Sequence, residues 1–252
     1  MGLFKRKKTE KQTNFDNYPP IGGLMVSKMV ADDGKKPLFM YREKKSRPED
    51  SGWRIFSGLE SQEYTDNPDN TGIYNPSTIL KIDSSIADLL LKGVGSVFER
   101  ESEKSDWYSV HDFELEDDYL TTIPLTENWE ITINNLFEHH KEENGDLYFT
   151  TGDKSLRLAI WNSEKNKSEL LKEHEASIKN RDESKTQEVY DFSDSDCVRI
   201  GYSIKESDED KIYDVIYGFT IIEKQMIQIA LYFDNEKDKE WAIETWKNIK
   251  EK

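Results

Sequence analysis

The stretch Glu49-Asp50-Ser51-Gly52-Trp53-Arg54-Ile55-Phe56-Ser57-Gly58-Leu59-Glu60 sets a tight turn, an indole, a guanidinium and a second glycine turn side by side. Such a run suits an active site, a ligand clamp or a fold-defining corner. Ser51 precedes a glycine, but the surrounding residues are not the Gly-x-Ser-x-Gly elbow of a nucleophilic serine, and no histidine lies close in sequence. The corner reading has Gly52 and Gly58 supplying positive-φ turns, Trp53 and Phe56 filling the core, and Arg42 tying down the loop carboxylates. A second reading has Arg42, Asp50 and Trp53 lining a small-ligand pocket. Both readings make "WRIFSG" a short strand.

Working outward, Gly23 opens "LMVSKMV" and Pro37 opens "PLFMYRE". With Asp33-Gly34 between them, residues 23–43 are expected to form a hairpin. Residues 60–76 are polar and aperiodic. Asn75 with Pro76 then reads as a helix start, Asp83 as a second cap, and Gly93 as a stop, so 76–92 should be helical with a break near Asp83. "GSVFERE" returns to an extended pattern. The text changes character around Leu120–Thr126, where Pro124 sits, and the domain boundary is expected there. The expected units are a disordered basic tail over 1–20, a domain over 21–122, and a second domain over 126–252.

In the second half, Asn144-Gly145 joins two extended runs as a hairpin turn. Leu156, Leu158 and Ile160 share a strand face. Leu170, Leu171, His174 and Ile178 suit a helix laid on a sheet. "CVRIGYSI", "IYDVIYGFTII" and "QMIQIALYFD" read as antiparallel neighbours. Ala242, Trp246 and Ile249 then form the apolar stripe of a closing helix. The expected class is α+β, with two domains that each have a mainly antiparallel sheet and segregated helices.

The chain of 252 residues has a net charge of −16. Lys5, Arg6, Lys7, Lys8 and Lys11 against Glu10 make the tail basic, so everything after it is more acidic than the total. That body would repel a phosphate backbone, which argues against nucleic acid as a partner. Leu3 and Phe4 beside the basic cluster suggest membrane contact, but Arg6 occupies the position where a myristoylation signal needs Ser or Thr, so a solvated tail is the preferred reading. No apolar run reaches the roughly 18 residues of a membrane span. Together with the single cysteine, Cys197, this points to the cytoplasm.

His139 and His140 are adjacent, so on a strand they face opposite ways and cannot share a metal. The loop 66–72 lacks the acidic third and twelfth positions of a calcium loop, where Pro68 and Ser77 stand instead. No glycine loop here cradles phosphate. Asp194 and Asp196 beside Cys197 should raise its pKa, making it an inert strand residue. No cofactor, metal or catalytic residue is expected.

With "VSKMV", "FMYRE", "DSGWRIFSGLESQEYTDNPDN" and "GSVFERE" in this order, residues 22–102 resemble the bacterial DUF2185 family, also described as the Imm33 immunity proteins. Arg42, Asp50, Ser51, Gly52, Trp53, Phe56, Gly58, Phe98 and Arg100 carry that resemblance as structural motif residues. The second half is similar, through its strand order, to the Mog1/PsbP-like fold. The first resemblance implies a non-enzymatic antidote that binds and blocks a cognate protein toxin of a polymorphic toxin system. The acidic surface fits a basic toxin. The contact surface is expected on the acidic loop, at Glu60, Glu63, Tyr64, Asp66 and Asn70.

Overall fold

The computed structural model describes residue 15, residues 17–208 and residues 211–252. The basic cluster at 5–11 lies outside the described residues. The chain divides into two compact units: Met1–Lys92 with Ser96–Phe113, and Gly93–Gly95 with Glu114–Lys252. The fold is α+β. Among the described residues no helix is long and apolar enough to cross a membrane.

The first unit begins with β1 (Gly23–Ser27) and the one-turn α1 (Lys28–Ala31), whose first turn is capped by the Ser27 side chain. Next come β2 (Phe39–Arg42), β3 (Asp50–Phe56), α2 (Gln62–Thr65), β4 (Thr71–Tyr74), α3 (Pro76–Ile82), β5 (Val97–Glu99) and β6 (Tyr108–Ser109). The sheet order is β4-β1-β3-β2-β5-β6. The expected hairpin over 23–43 is therefore absent: β3 lies between β1 and β2, parallel to the first and antiparallel to the second. Ser27 starts a helical turn just where the hairpin would have continued β1, and Asp33-Gly34 becomes the exit from that turn. Asn75 caps α3 with Pro76 at its first position, and Asp83 caps a following 3₁₀ turn, Ser84–Ile86, so the helix breaks where its caps placed the break.

One face of this sheet is apolar. Leu24, Val26, Met40, Trp53 and Ile55 pack against Val30, Ile79, Leu80, Ile86 and Leu90. Phe15 and Tyr18 join them, and the Tyr18 hydroxyl donates to Ala87 O, so packing begins inside the segment expected as a loose tail. Phe56 is not in this core. Three positions along a strand from Trp53 it faces the other way, half-buried, with its ring 6.1 Å from that of Tyr41 and 6.4 Å from that of Phe39.

The second unit opens with β7 (Leu120–Pro124), which pairs with β8 (Trp129–Asn134). The stretch where the sequence changes character is thus already a strand of this unit's three-stranded sheet, β16-β8-β7. β9 (Glu138–Lys141), β10 (Leu147–Thr150), β11 (Ser155–Asn162), α4 (Lys167–Lys179), β12 (Thr186–Asp191), β13 (Val198–Asp208), β14 (Lys211–Ile222), β15 (Gln225–Phe233), α5 (Asp238–Lys247) and β16 (Ile249–Glu251) follow. Seven of these strands form a sheet in the order β12-β13-β14-β15-β11-β10-β9. β13, β14 and β15 are antiparallel neighbours, and β9 and β10 pair across the Asn144-Gly145 turn. α5 lays Ala242 and Trp246 into the core.

Gly201 and Gly218 face each other across β13 and β14 and leave a flat floor for the Trp246 indole. A Cβ on Gly218 would lie 2.5 Å from that ring. The indole N–H donates to Thr220 Oγ1 at 2.9 Å, so the ring is buried with its polar group satisfied. α4 lays Leu170 and Ile178 on Phe219, Ile221 and Met226, and His174 stacks on Phe219 at 4.2 Å.

Candidate functional site

β3 holds the corner. Gly52 has φ +82° inside the strand, and β1 and β3 shift register across this segment, as at a β-bulge. A Cβ on Gly52 would meet Glu43 O at 2.2 Å, so only glycine fits. The Ser51 hydroxyl donates to Gly23 O at 2.7 Å and accepts from Trp53 N at 3.1 Å, clamping β3 to β1. Trp53 is fully buried, donates its indole N–H to Leu90 O at 3.0 Å, and stacks on Phe98 at 6.2 Å. Burying about 200 Å² of indole at about 25 cal/mol per Å² contributes about 5 kcal/mol, an upper figure.

The carboxylate partner in this corner is Arg54. Its Nη1 and Nη2 donate to Asp50 Oδ1 and Oδ2 at 2.9 and 2.8 Å, a bidentate pair, and its Nε donates to Glu43 Oε1 at 2.7 Å. Gly52 N and the Ser46 N–H and hydroxyl complete the Asp50 shell. Burial by itself would raise the Asp50 pKa. The hydrogen bonds from Arg54, Gly52 and Ser46 outweigh it and hold the carboxyl well below the usual range. Arg42, expected to tie down the loop carboxylates, donates to the backbone oxygens of Ser51 (3.0 Å) and Lys92, with its guanidinium 6.0 Å from the Trp53 ring. Arg54 and Glu43 are not among the residues that the sequence singles out. The signal was there in alternation, since Arg54 shares a strand face with Phe56 and lies opposite the face of Trp53.

The ligand-pocket reading places Arg42, Asp50 and Trp53 around one cavity, and of these Trp53 is fully buried. Trp53 and Arg54 are sealed in, and Asp50 is saturated by its internal donors. A cleft of about 520 Å³ does touch Asp50, but its other walls are Met25, Ser46, Arg47, Glu49 and residues 71–73; Arg42 and Trp53 are not among them.

A second buried cation closes the unit. Arg100 pairs with Asp83, and donates to Pro37 O from Nε (2.9 Å) and Nη2 (2.6 Å), and to Glu103 O and Ser85 Oγ at 3.3 Å. Its guanidinium lies 4.6 Å from the Trp107 ring centroid. Burial pushes the Asp83 pKa up, but the Ser85 and Arg100 hydrogen bonds bring it below the ordinary value.

After the corner the chain turns at Gly58, φ +76°. The Glu60 carboxylate accepts from Ser57 N (2.9 Å) and Leu59 N (3.1 Å), so it faces inward and stabilises its own turn. Glu60 is thereby separated from the other acidic residues expected to meet a partner. Glu63 on α2 and Asp66 at its C-terminal end are exposed; Ser61 caps the helix, and Asp66 accepts from the Gln62 side chain at 2.8 Å. Tyr64 and Asn70 brace the loop on itself, with Asn70 Nδ2 donating to Tyr64 O at 2.9 Å. Asn67 caps the Pro68–Asn70 turn, which leaves Asp69 exposed.

His139 and His140 sit on successive positions of β9 and contact different rings, Phe149 at 5.2 Å and Tyr148 at 5.4 Å. Among the described residues no group of three or more His, Cys, Asp or Glu is placed to hold a metal. Burial pushes the Cys197 thiol up to about 11, with Asp194 adding to the effect.

No curated protein matches the chain. Among solved structures, a crystal structure from Bacteroides thetaiotaomicron VPI-5482 is 8% identical with a TM-score of 0.38, over 49% of this chain and 45% of that one. The chain thus spans less than half of that protein. The solution structure of cyanobacterial PsbP (CyanoP) from Synechocystis sp. PCC 6803 is 10% identical with a TM-score of 0.40, over 57% of this chain and 98% of that one. Likenesses at these scores carry no functional argument. The family match falls on the unit built around Trp53, Arg54 and Arg100: residues 24–111 match the Immunity protein Imm33 domain.

Proposed function

We propose that the protein is a non-enzymatic antidote that works in the bacterial cytoplasm, binding and blocking a cognate toxin of a polymorphic toxin system. The observation that carries this reading is the Imm33 match across residues 24–111. The geometry supports it. The motif residues of this unit make contacts to each other and to backbone, as a scaffold does, while Glu63, Asp66 and Asp69 stand outward on a braced loop. An acidic surface speeds encounter with a basic protein, and a toxin that acts on nucleic acid is basic for the same electrostatic reason. The contact surface is the expected set without Glu60: Glu63 and Asp66, which stand outward, with the half-buried Tyr64 and Asn70 beside them.

The test is co-expression with the product of the toxin gene adjacent to its own. The complex should co-purify, and cells carrying both genes should survive. A toxin that is demonstrably active, yet neither bound nor neutralised, would sink the reading.

A further inference from the structure

The six-stranded sheet ends at β4, and among the described residues no strand pairs with its outer side. Sheet edges are usually blunted by proline, lysine, a bulge or an inward charge. Thr71-Gly72-Ile73-Tyr74 has none of these, and it pairs with β1 in unbroken register from Ser27↔Thr71 to Leu24↔Tyr74. The other edges are shorter, charged or, in β7, ended by Pro124. β6 has only two residues, β9 reads Glu-His-His-Lys, and β12 carries Glu188, which Lys239 pairs.

Ile73 is 64% exposed and held in place over Gly23, where a Cβ would lie 2.6 Å from its Cγ2. A cleft opens on each side of it. One, of about 630 Å³, is walled by Tyr18, Gly23 and Tyr74; the other, of about 520 Å³, is walled by Met25, Arg47 and Thr71. Exposed Glu49 lines both. Between Arg54 and Lys81 the sequence has no basic residue, and the loop leading into β4 presents Glu63, Asp66 and Asp69.

We propose that β4 accepts an added strand from the partner: an extended, cationic polypeptide segment. Its backbone pairs with the outer edge of β4, and its alternate side chains enter the clefts beside Ile73. Strand addition takes its affinity from main-chain hydrogen bonds and its specificity from pockets for alternate side chains, and both are in place here. A second copy of this chain is a poor occupant, because pairing β4 with β4 would bring two sets of Glu63, Asp66 and Asp69 together. The proposal rests on the reading that this unit binds a protein partner, and it names the chemistry of the contact.

The probe is a blocked nine-residue peptide of alternating Lys and Val, added to the full chain and followed by amide exchange. Two controls accompany it, the same peptide N-methylated on alternate residues and a Glu-Val counterpart. The Lys-Val peptide should slow exchange at residues 71–74, and affinity should fall at least about tenfold on N-methylation, with Ile73→Lys, and with the Glu-Val peptide. Equal binding of the N-methylated peptide, or protection only elsewhere, would overturn strand addition. Self-association that protects 71–74 without peptide would overturn the cationic occupant. The toxin assay reads separately. A chain that pairs the peptide through β4 but protects no cell removes the toxin reading and keeps the edge. A chain that neutralises toxin with 71–74 unprotected does the reverse.

Discussion

Trp53 in the first unit and Trp246 in the second are both fully buried indoles with a satisfied N–H, yet their surroundings differ. Trp53 shares its strand with Asp50 and Arg54, and the same unit buries a second ion pair, Arg100–Asp83. Trp246 rests on two glycines in a core of Ile, Leu and Phe side chains. The first arrangement depends on particular donors and acceptors, so its residues read as a motif. The second depends on volume and period, which many sequences can supply.

The most damaging way to probe the contrast is to strand a buried charge. Arg54→Leu leaves Asp50 desolvated without its main partner and should cost about 3–5 kcal/mol in urea unfolding of the full chain. Adding Asp50→Leu to the same chain should recover much of that loss, because a buried pair replaced by apolar groups is often neutral. If the double variant is no better than the single one, the pair is not what Arg54 contributes. In the second unit the matching probe is Gly218→Ala, whose Cβ would press on Trp246; about 1–3 kcal/mol should be lost. A fall in near-ultraviolet circular dichroism would report the displaced indole, and an unchanged melting temperature would refute the tight floor.

Acid should separate the units next. The Asp50 and Asp83 pKa values are lowered in the folded chain. Their contribution is therefore complete above the unfolded carboxylate pKa of about 3.9, and is lost as pH falls through the folded values. In the second unit, hydrogen bonds from the Cys197 backbone and from Arg199 bring Asp194 to about 2, but its side chain is half exposed and screened. Fluorescence and amide exchange below pH 4 should show the Trp53 core loosening first. Earlier exposure of Trp246 would reverse the comparison.

The smallest effect on stability is expected on the acidic loop. Glu63→Gln with Asp66→Asn should change stability by no more than about 0.5 kcal/mol. The same pair of changes should slow association with a basic toxin and flatten its salt dependence. Glu60→Gln belongs to another class, because it weakens the cap on Ser57 and Leu59 and should cost about 1 kcal/mol without slowing encounter. Equal kinetic effects from Glu60 and Glu63 would move the contact surface.

How much of this was legible in the sequence follows the same division. Caps and periods are local, so Asn75-Pro76, Asp83, the Asn144-Gly145 turn and the three long strands β13 to β15 could be read from neighbours alone. Gly52 and Gly58 were legible as positive-φ turns for the same reason. The insertion of β3 between β1 and β2 was not, because pairing order is set by contacts between segments distant in the chain. Nor was the choice of Arg54 over Arg42, since both alternate correctly and only the fold decides which meets Asp50. Glu60 looked like one more surface acid. That its carboxylate turns back onto Ser57 and Leu59 depends on the Gly58 turn closing, which composition does not record.

Arg100 sets a schedule for the ribosome. Its bonds reach back 63 residues to Pro37 and forward to Glu103, and β2 gains its outer neighbour only when β5 has been made. Until that point emerges, the Asp83 carboxylate and the Pro37 carbonyl have no guanidinium to meet, and the nascent unit cannot close. At about 5–20 residues per second, a new chain spends about 5–20 s in that open state. A unit closed this way acts only through finished copies, because one begun on demand is late by the time it takes to reach Arg100.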